Sequence, residues 1–176
     1  MSHTQPFTRR QPVHRTLLQF ILRQKPPENA LVELVNRLAD GRLREITTDD
    51  VNRIGKTYGI TIAQRFRVEL ENLYRNYMRY CLMDRKLTDE ELADLAHLAR
   101  LFELDAVTCA AIQRHLTRQL YFRTVSEVLA DGTIDESERQ FLQRLQEQLN
   151  LPAGDAENIV ELRERQMRRP QRTKKR

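Results

Sequence analysis

The 176-residue chain is long enough for one domain with its own core and short for two of ordinary size. With 40% hydrophobic and 31% charged residues, five Gly, no Trp and no apolar run near the roughly 18 residues that cross a bilayer, it reads as helical and excludes membrane-spanning, collagenous and wholly disordered chains. The net charge of +5 is segregated: residues 1–27 hold five basic side chains and no acid, and residues 163–176 hold eight against Glu164, which leaves 28–162 at −7. An acidic body between basic ends is a poor polyanion platform in itself, although the ends could touch phosphates.

Taken in chain order, residues 1–11 are expected to form a flexible basic arm, 12–167 one compact all-helical repeat domain, and 168–176 a flexible basic tail in which Pro170 and a run of like charges oppose order. Apolar spacing predicts an all-α fold of about eight helices, at 12–24, 28–39, 47–58, 62–83, 89–102, 106–130, 136–149 and 154–167. The N-terminus has no apolar signal region, and Cys81 and Cys109 are too few for a disulfide framework. Both features predict a cytoplasmic location, free or peripheral to a membrane or nucleoprotein complex.

Self-similarity organises the helices. A shift of 47 residues pairs Leu82 with Leu129, Asp84 with Asp131, Glu91 with Glu138, Leu95 with Leu142 and Phe102 with Leu149. A shift of 44 sets Leu38, Asp40, Val51 and Ile54 on Leu82, Asp84, Leu95 and Leu98, so three related helical hairpins are expected. Each contains a turn (LADGRL, LMDRKL or LADGTI) followed by a helix start: Thr47 with Asp50, Thr88 with Glu91, and Asp135 with Glu138 have the spacing of a capping box.

The carboxylates near these turns are the metal candidates: Asp131, Asp135 and Glu138, repeated at Asp84, Asp89 and Glu91. Asp131–Glu138 has the spacing of the second half of a calcium loop, but Leu129 occupies what would be a ligand position in the first half. The alternatives are a weakly bound divalent cation and helix capping, which already accounts for the spacing. No nucleophile elbow, P-loop, dinucleotide fingerprint or His-Glu-x-x-His occurs, and Ser2, Ser126 and Ser137 are the only serines, so a non-enzymatic chain is expected. The polyanion-binding candidates are Arg9, Arg10, Arg15, Arg168, Arg169, Arg172, Lys174, Lys175 and Arg176. Phe7 is the one aromatic among them, so any nucleic-acid binding would be driven by phosphates and sensitive to salt.

The segment LADGTIDESERQFLQRLQEQLNLP (129–152) and its counterpart LMDRKLTDEELADLAHLARLFELD (82–105) resemble the tellurite-resistance TerB-like domain, over about residues 62–165. The resemblance implies a helical, acidic, metal-binding domain that scaffolds stress-response or envelope-associated complexes, with Asp84 and Asp131 as turn acids and Glu91 and Glu138 as the acids that follow. Arg85 stands where the pattern has glycine, and the basic ends lie outside it. The expected function is a helical adaptor whose acidic body takes a protein partner or divalent ion and whose basic termini attach electrostatically. The alternative is a nucleic-acid-binding or ribonucleoprotein accessory protein. Partners in these readings are a protein, nucleic acid through the termini, or an anionic membrane surface without a transmembrane segment.

Overall fold

The computed structural model describes residues 6–41 and 43–168. Among them the chain is all-α, with helices α1 (Leu17–Ile21), α2 (Glu28–Ala39), α3 (Thr48–Thr57), α4 (Ile62–Arg65), α5 (Arg67–Cys81), α6 (Asp89–Leu101), α7 (Ala106–Val128), α8 (Glu136–Gln148) and α9 (Ala153–Arg168). Single 3-10 turns occupy Leu43–Glu45, Leu82–Asp84 and Leu129–Asp131. No described helix is long and apolar enough to cross a membrane.

The helix starts follow their capping chemistry. Thr47, Thr88 and Asp135 each accept from the backbone N–H three residues on, while Asp50, Glu91 and Glu138 reach back to the cap N–H, so α3, α6 and α8 all begin in complete capping boxes. The turns that precede them share a left-handed residue, at Gly41 (φ 76°), Arg85 (φ 64°) and Gly132 (φ 96°). Two further left-handed residues, Glu103 and Asn150, end α6 and α8, and the next N–H closes each end: Leu104 N donates to Ala99 O and Leu151 N to Gln146 O.

Two expected helices differ. The stretch 62–83 breaks at Phe66, whose backbone leaves the helical region (φ −124°, ψ 35°) and whose ring is buried. The expected 12–24 helix shrinks to α1 because the preceding backbone is held by side chains: Arg10 N donates to Asn36 Oδ1, Val13 N donates to Asn29 Oδ1, and both Asn side chains donate back to the carbonyls of Arg10 and Val13. Within the described part of 1–11, Arg10 is held by the Asn36 bonds and Phe7 is only 3% exposed.

Backbone contacts group the chain into two compact units, the first holding residues 6–80 with Thr88–Ala110, the second Cys81–Leu87 with Ala111 onward. In the first, α2 packs on α3, and α3 on α4 and α6. Its core includes Leu34, Val35, Ile54, Leu70, Tyr74, Met78, Leu98 and Phe102. Gly55 lets the end of α3 meet the following loop: a Cβ there would lie 2.6 Å from Ile60 O. The second unit buries Leu116, Tyr121, Val125, Leu129, Leu142, Leu145, Leu149 and Ile159.

Candidate docking cleft

A cleft of about 370 Å³ opens in the first unit, walled by Pro6, Phe7, Leu38, Leu43, Tyr77 and Tyr80 and edged by Arg44, Glu45 and Asp94. Burial of Phe7 builds one wall, because its ring stacks on Tyr77 with centroids 5.7 Å apart and planes 19° from parallel. Tyr80 continues the aromatic surface at 6.2 Å from Tyr77.

The polar edge is held by Asp94. Its Oδ2 accepts from the Tyr77 hydroxyl at 2.8 Å and its Oδ1 from Arg44 Nε at 2.7 Å. The Asp94 hydrogen bond, then its charge, raises the Arg44 pKa, so the guanidinium stays cationic. Arg44 lies on the 3-10 turn Leu43–Glu45, and His97 secures that turn: its Nε2 is 3.1 Å from Leu43 O and 2.9 Å from Ile46 O, within reach of an Nε2–H donor. No local motif marks Arg44, Asp94, Tyr77 or Tyr80, and the lone Phe7 in a basic segment is the signal that the sequence offers.

The predicted metal candidates serve the backbone. Asp135 accepts from Glu138 N and the Ser137 hydroxyl at 2.8 Å each, and these bonds lower its pKa, that from Glu138 most. Glu138 accepts from Asp135 N, Glu91 from Thr88 N and the Thr88 hydroxyl, Asp131 from Thr133 N, and Asp84 from Lys86 N; Asp89 stands in the first turn of α6. Among the described residues no three His, Cys, Asp or Glu side chains are placed to share an ion, so these six carboxylates do not converge on one. Cys81 and Cys109 are buried and outside any disulfide, and burial is the main cause that raises the Cys109 pKa, away from thiolate chemistry.

Of the polyanion candidates, Arg9, Arg10, Arg15 and Arg168 fall among the described residues. Arg9 is paired with Asp40, while Arg10 and Arg15 are exposed. Arg168 ends α9, and Arg169, Arg172, Lys174, Lys175 and Arg176 lie outside the described residues.

The family model described as Tic110, chloroplast envelope transporter, matches residues 63–171, from α4 through α9. The chain belongs to the Tic110 family. It is 28% identical over 129 residues to the pea (Pisum sativum) protein named "Protein TIC110, chloroplastic", an alignment that covers 72% of this chain and 12% of that protein. The chain therefore spans about an eighth of that relative's length. No solved structure matches.

Membership in the Tic110 family corrects four expectations. The TerB-like resemblance gives way, because the family match covers nearly the same stretch as the acidic turns that carried it. With it go the stress-response adaptor and the nucleic-acid or ribonucleoprotein alternative. The generic cytoplasmic placement is overturned as well, by a family described as belonging to the chloroplast envelope. The short turn-and-cap motif misled because it records how a helix starts, which many helical families share.

Proposed function

We propose that this Tic110-family chain is a non-catalytic docking module of chloroplast envelope transport, which seats a short segment of a partner polypeptide in the cleft between Phe7, Tyr77 and Tyr80. The family's description as an envelope transporter supports the setting. The observation that carries the reading is the cleft's make-up: an aromatic wall already fixed by stacking, beside a cationic Arg44 held in place by Asp94. Rigid aromatic surface next to an anchored guanidinium is the composition of interface hot spots, because little side-chain freedom remains to be lost on binding.

The matching segment presents one large apolar side chain to Tyr80 and Leu43 and turns a backbone carbonyl toward Arg44. Peptide display against the immobilised full chain tests this. Enrichment of peptides with a Phe, Leu or Met anchor, and binding weakened about ten-fold or more by Tyr80→Ala with helical content unchanged, is the expected result. Absence of enrichment, or peptides indifferent to both Tyr80→Ala and Arg44→Ala, would overturn it.

A further inference from the structure

Helix α1 is an apolar element that the fold leaves in the open. Leu17, Leu18, Phe20, Ile21 and Leu22 are between 54% and 79% exposed, and Val13 just before them is 49% exposed. This is not the fraying of a loose terminus. Thr16 and Gln19 form a full capping box at the start, and at the far end Leu22 N donates to Leu18 O and Gln24 N to Gln19 O, with Arg23 in the left-handed region (φ 52°). The excursion is closed at its base, where Asn29 bonds both the N–H and the carbonyl of Val13 and Pro26 is buried. The polypeptide is tied on both sides of an apolar tip.

The distribution of the apolar side chains identifies what can cover them. At about 100° per residue, Leu17, Leu18, Phe20, Ile21 and Leu22 spread over an arc of roughly 200°. The one polar residue, Gln19, is half-buried and spent on the cap. A groove on a partner protein reads a single stripe at helical spacing, whereas an arc wider than half the circumference is matched by a medium that surrounds the helix. Charge agrees: residues 1–27 contain Arg9, Arg10, Arg15, Arg23 and Lys25 and no acid. Among the described residues Arg10, Arg15 and Arg23 are exposed and make no ion pair, and Lys25 lies over the Tyr58 ring at 5.4 Å. Apolar residues that wrap most of a short helix between unpaired cations are complementary to acyl chains beneath anionic headgroups.

We propose that α1 and its basic flanks insert into the interfacial layer of an anionic bilayer and hold the chain at a membrane surface. Five residues rise about 8 Å, which suits a helix lying at the headgroup boundary and rules out one that spans. The proposal rests on α1 and its basic flanks and is independent of the cleft, so the two can fail separately.

The sequence has no tryptophan, so Phe20→Trp in the full chain places a single reporter on α1. With vesicles of phosphatidylcholine and phosphatidylglycerol, its emission should shift to the blue, and with phosphatidylcholine alone it should not. Leu17→Glu with Ile21→Glu, at exposed positions and therefore with helical content intact, should reduce co-sedimentation with the anionic vesicles about ten-fold or more. Arg15→Gln and Arg23→Gln should each weaken it roughly five-fold. An unshifted Phe20→Trp spectrum on vesicles that the chain still binds would overturn the proposal by assigning attachment to other basic residues. A parent chain that dimerises, does not bind vesicles, and is made monomeric by the double Glu variant would overturn it in favour of a second copy.

Discussion

In the first unit Asp94 accepts from the Tyr77 hydroxyl and the Arg44 guanidinium; in the second Asp155 accepts two bonds from Arg114, at 2.8 and 2.9 Å, and a third from Arg118. Both carboxylates are largely shielded, with side chains 17% and 9% exposed. Their surroundings differ. Asp94 edges an open cleft and fixes a cation at its rim, while Asp155, in the first turn of α9, ties that helix to two residues of α7. The same hydrogen-bonding chemistry preorganises a surface in one unit and clamps helices in the other. Asp155 also has the more favourable backbone setting, since a carboxylate in a first turn faces the positive end of the helix.

Truncation should separate the two roles most clearly. Asp155→Ala removes three charge-assisted hydrogen bonds at once and should lower the melting temperature of the full chain by about 5 °C. Asp94→Ala should lower it by roughly half as much, yet should weaken peptide capture as strongly as Arg44→Ala does, because the guanidinium loses its anchor. Thermal melts of both variants, read beside binding, check the contrast. A larger thermal loss for Asp94→Ala with peptide capture intact would reverse the assignment.

Acid should sharpen the same contrast. Asp155 is held below its ordinary value of 3.8, first by the Arg114 hydrogen bonds and also by Arg118. A carboxylate whose folded-state pKa is depressed adds stability that is complete above the unfolded value and lost as pH falls through the folded one. The stability gap between the parent chain and Asp155→Asn should therefore be constant at neutral pH, begin to shrink as pH drops past 3.8, and close below the lowered folded-state pKa. Urea melts across that range check it; a gap that instead widened with acid would mean that Asp155 is protonated more readily in the fold than in the unfolded chain.

What could be read in advance followed from local rules. The all-α class rests on helical spacing, and the starts of α3, α6 and α8 rest on cap residues three positions from a carboxylate, a relation contained within four residues of sequence. The cleft rests on Phe7, Leu38, Leu43, Arg44, Tyr77, Tyr80 and Asp94, which only packing brings together, so no periodicity announces it. Burial of Phe7 is the least legible part: within a basic, Pro-flanked segment it reads as part of an arm, and the bonds that Asn29 and Asn36 make nearby depend on side chains 16 and 26 residues away. Exposure of α1 was equally hidden, because Leu17, Leu18, Phe20 and Ile21 have the composition of a core helix.

The smallest expected effect lies within the second unit, where the turns at Leu82–Arg85 and Leu129–Gly132 place different residues in the same left-handed conformation. It asks whether the backbone there, like Asp155, serves only to hold the chain together. A Cβ on Gly132 would meet nothing within 4 Å, so Gly132→Ala carries the conformational cost alone, about 1 kcal/mol. Arg85 already bears that cost and offsets part of it through an ion pair with Glu127 at 3.0 Å, between side chains 37% and 50% exposed. Relief of the backbone in Arg85→Gly is opposed by loss of that pair and by the greater freedom of glycine in the unfolded chain, so stability should change by less than about 0.5 kcal/mol. Denaturant melts of the two variants should thus be unequal, with Gly132→Ala clearly destabilised and Arg85→Gly close to the parent. A gain near 1 kcal/mol in Arg85→Gly would show that the Glu127 contact contributes nothing and that the turn tolerates arginine at full backbone cost.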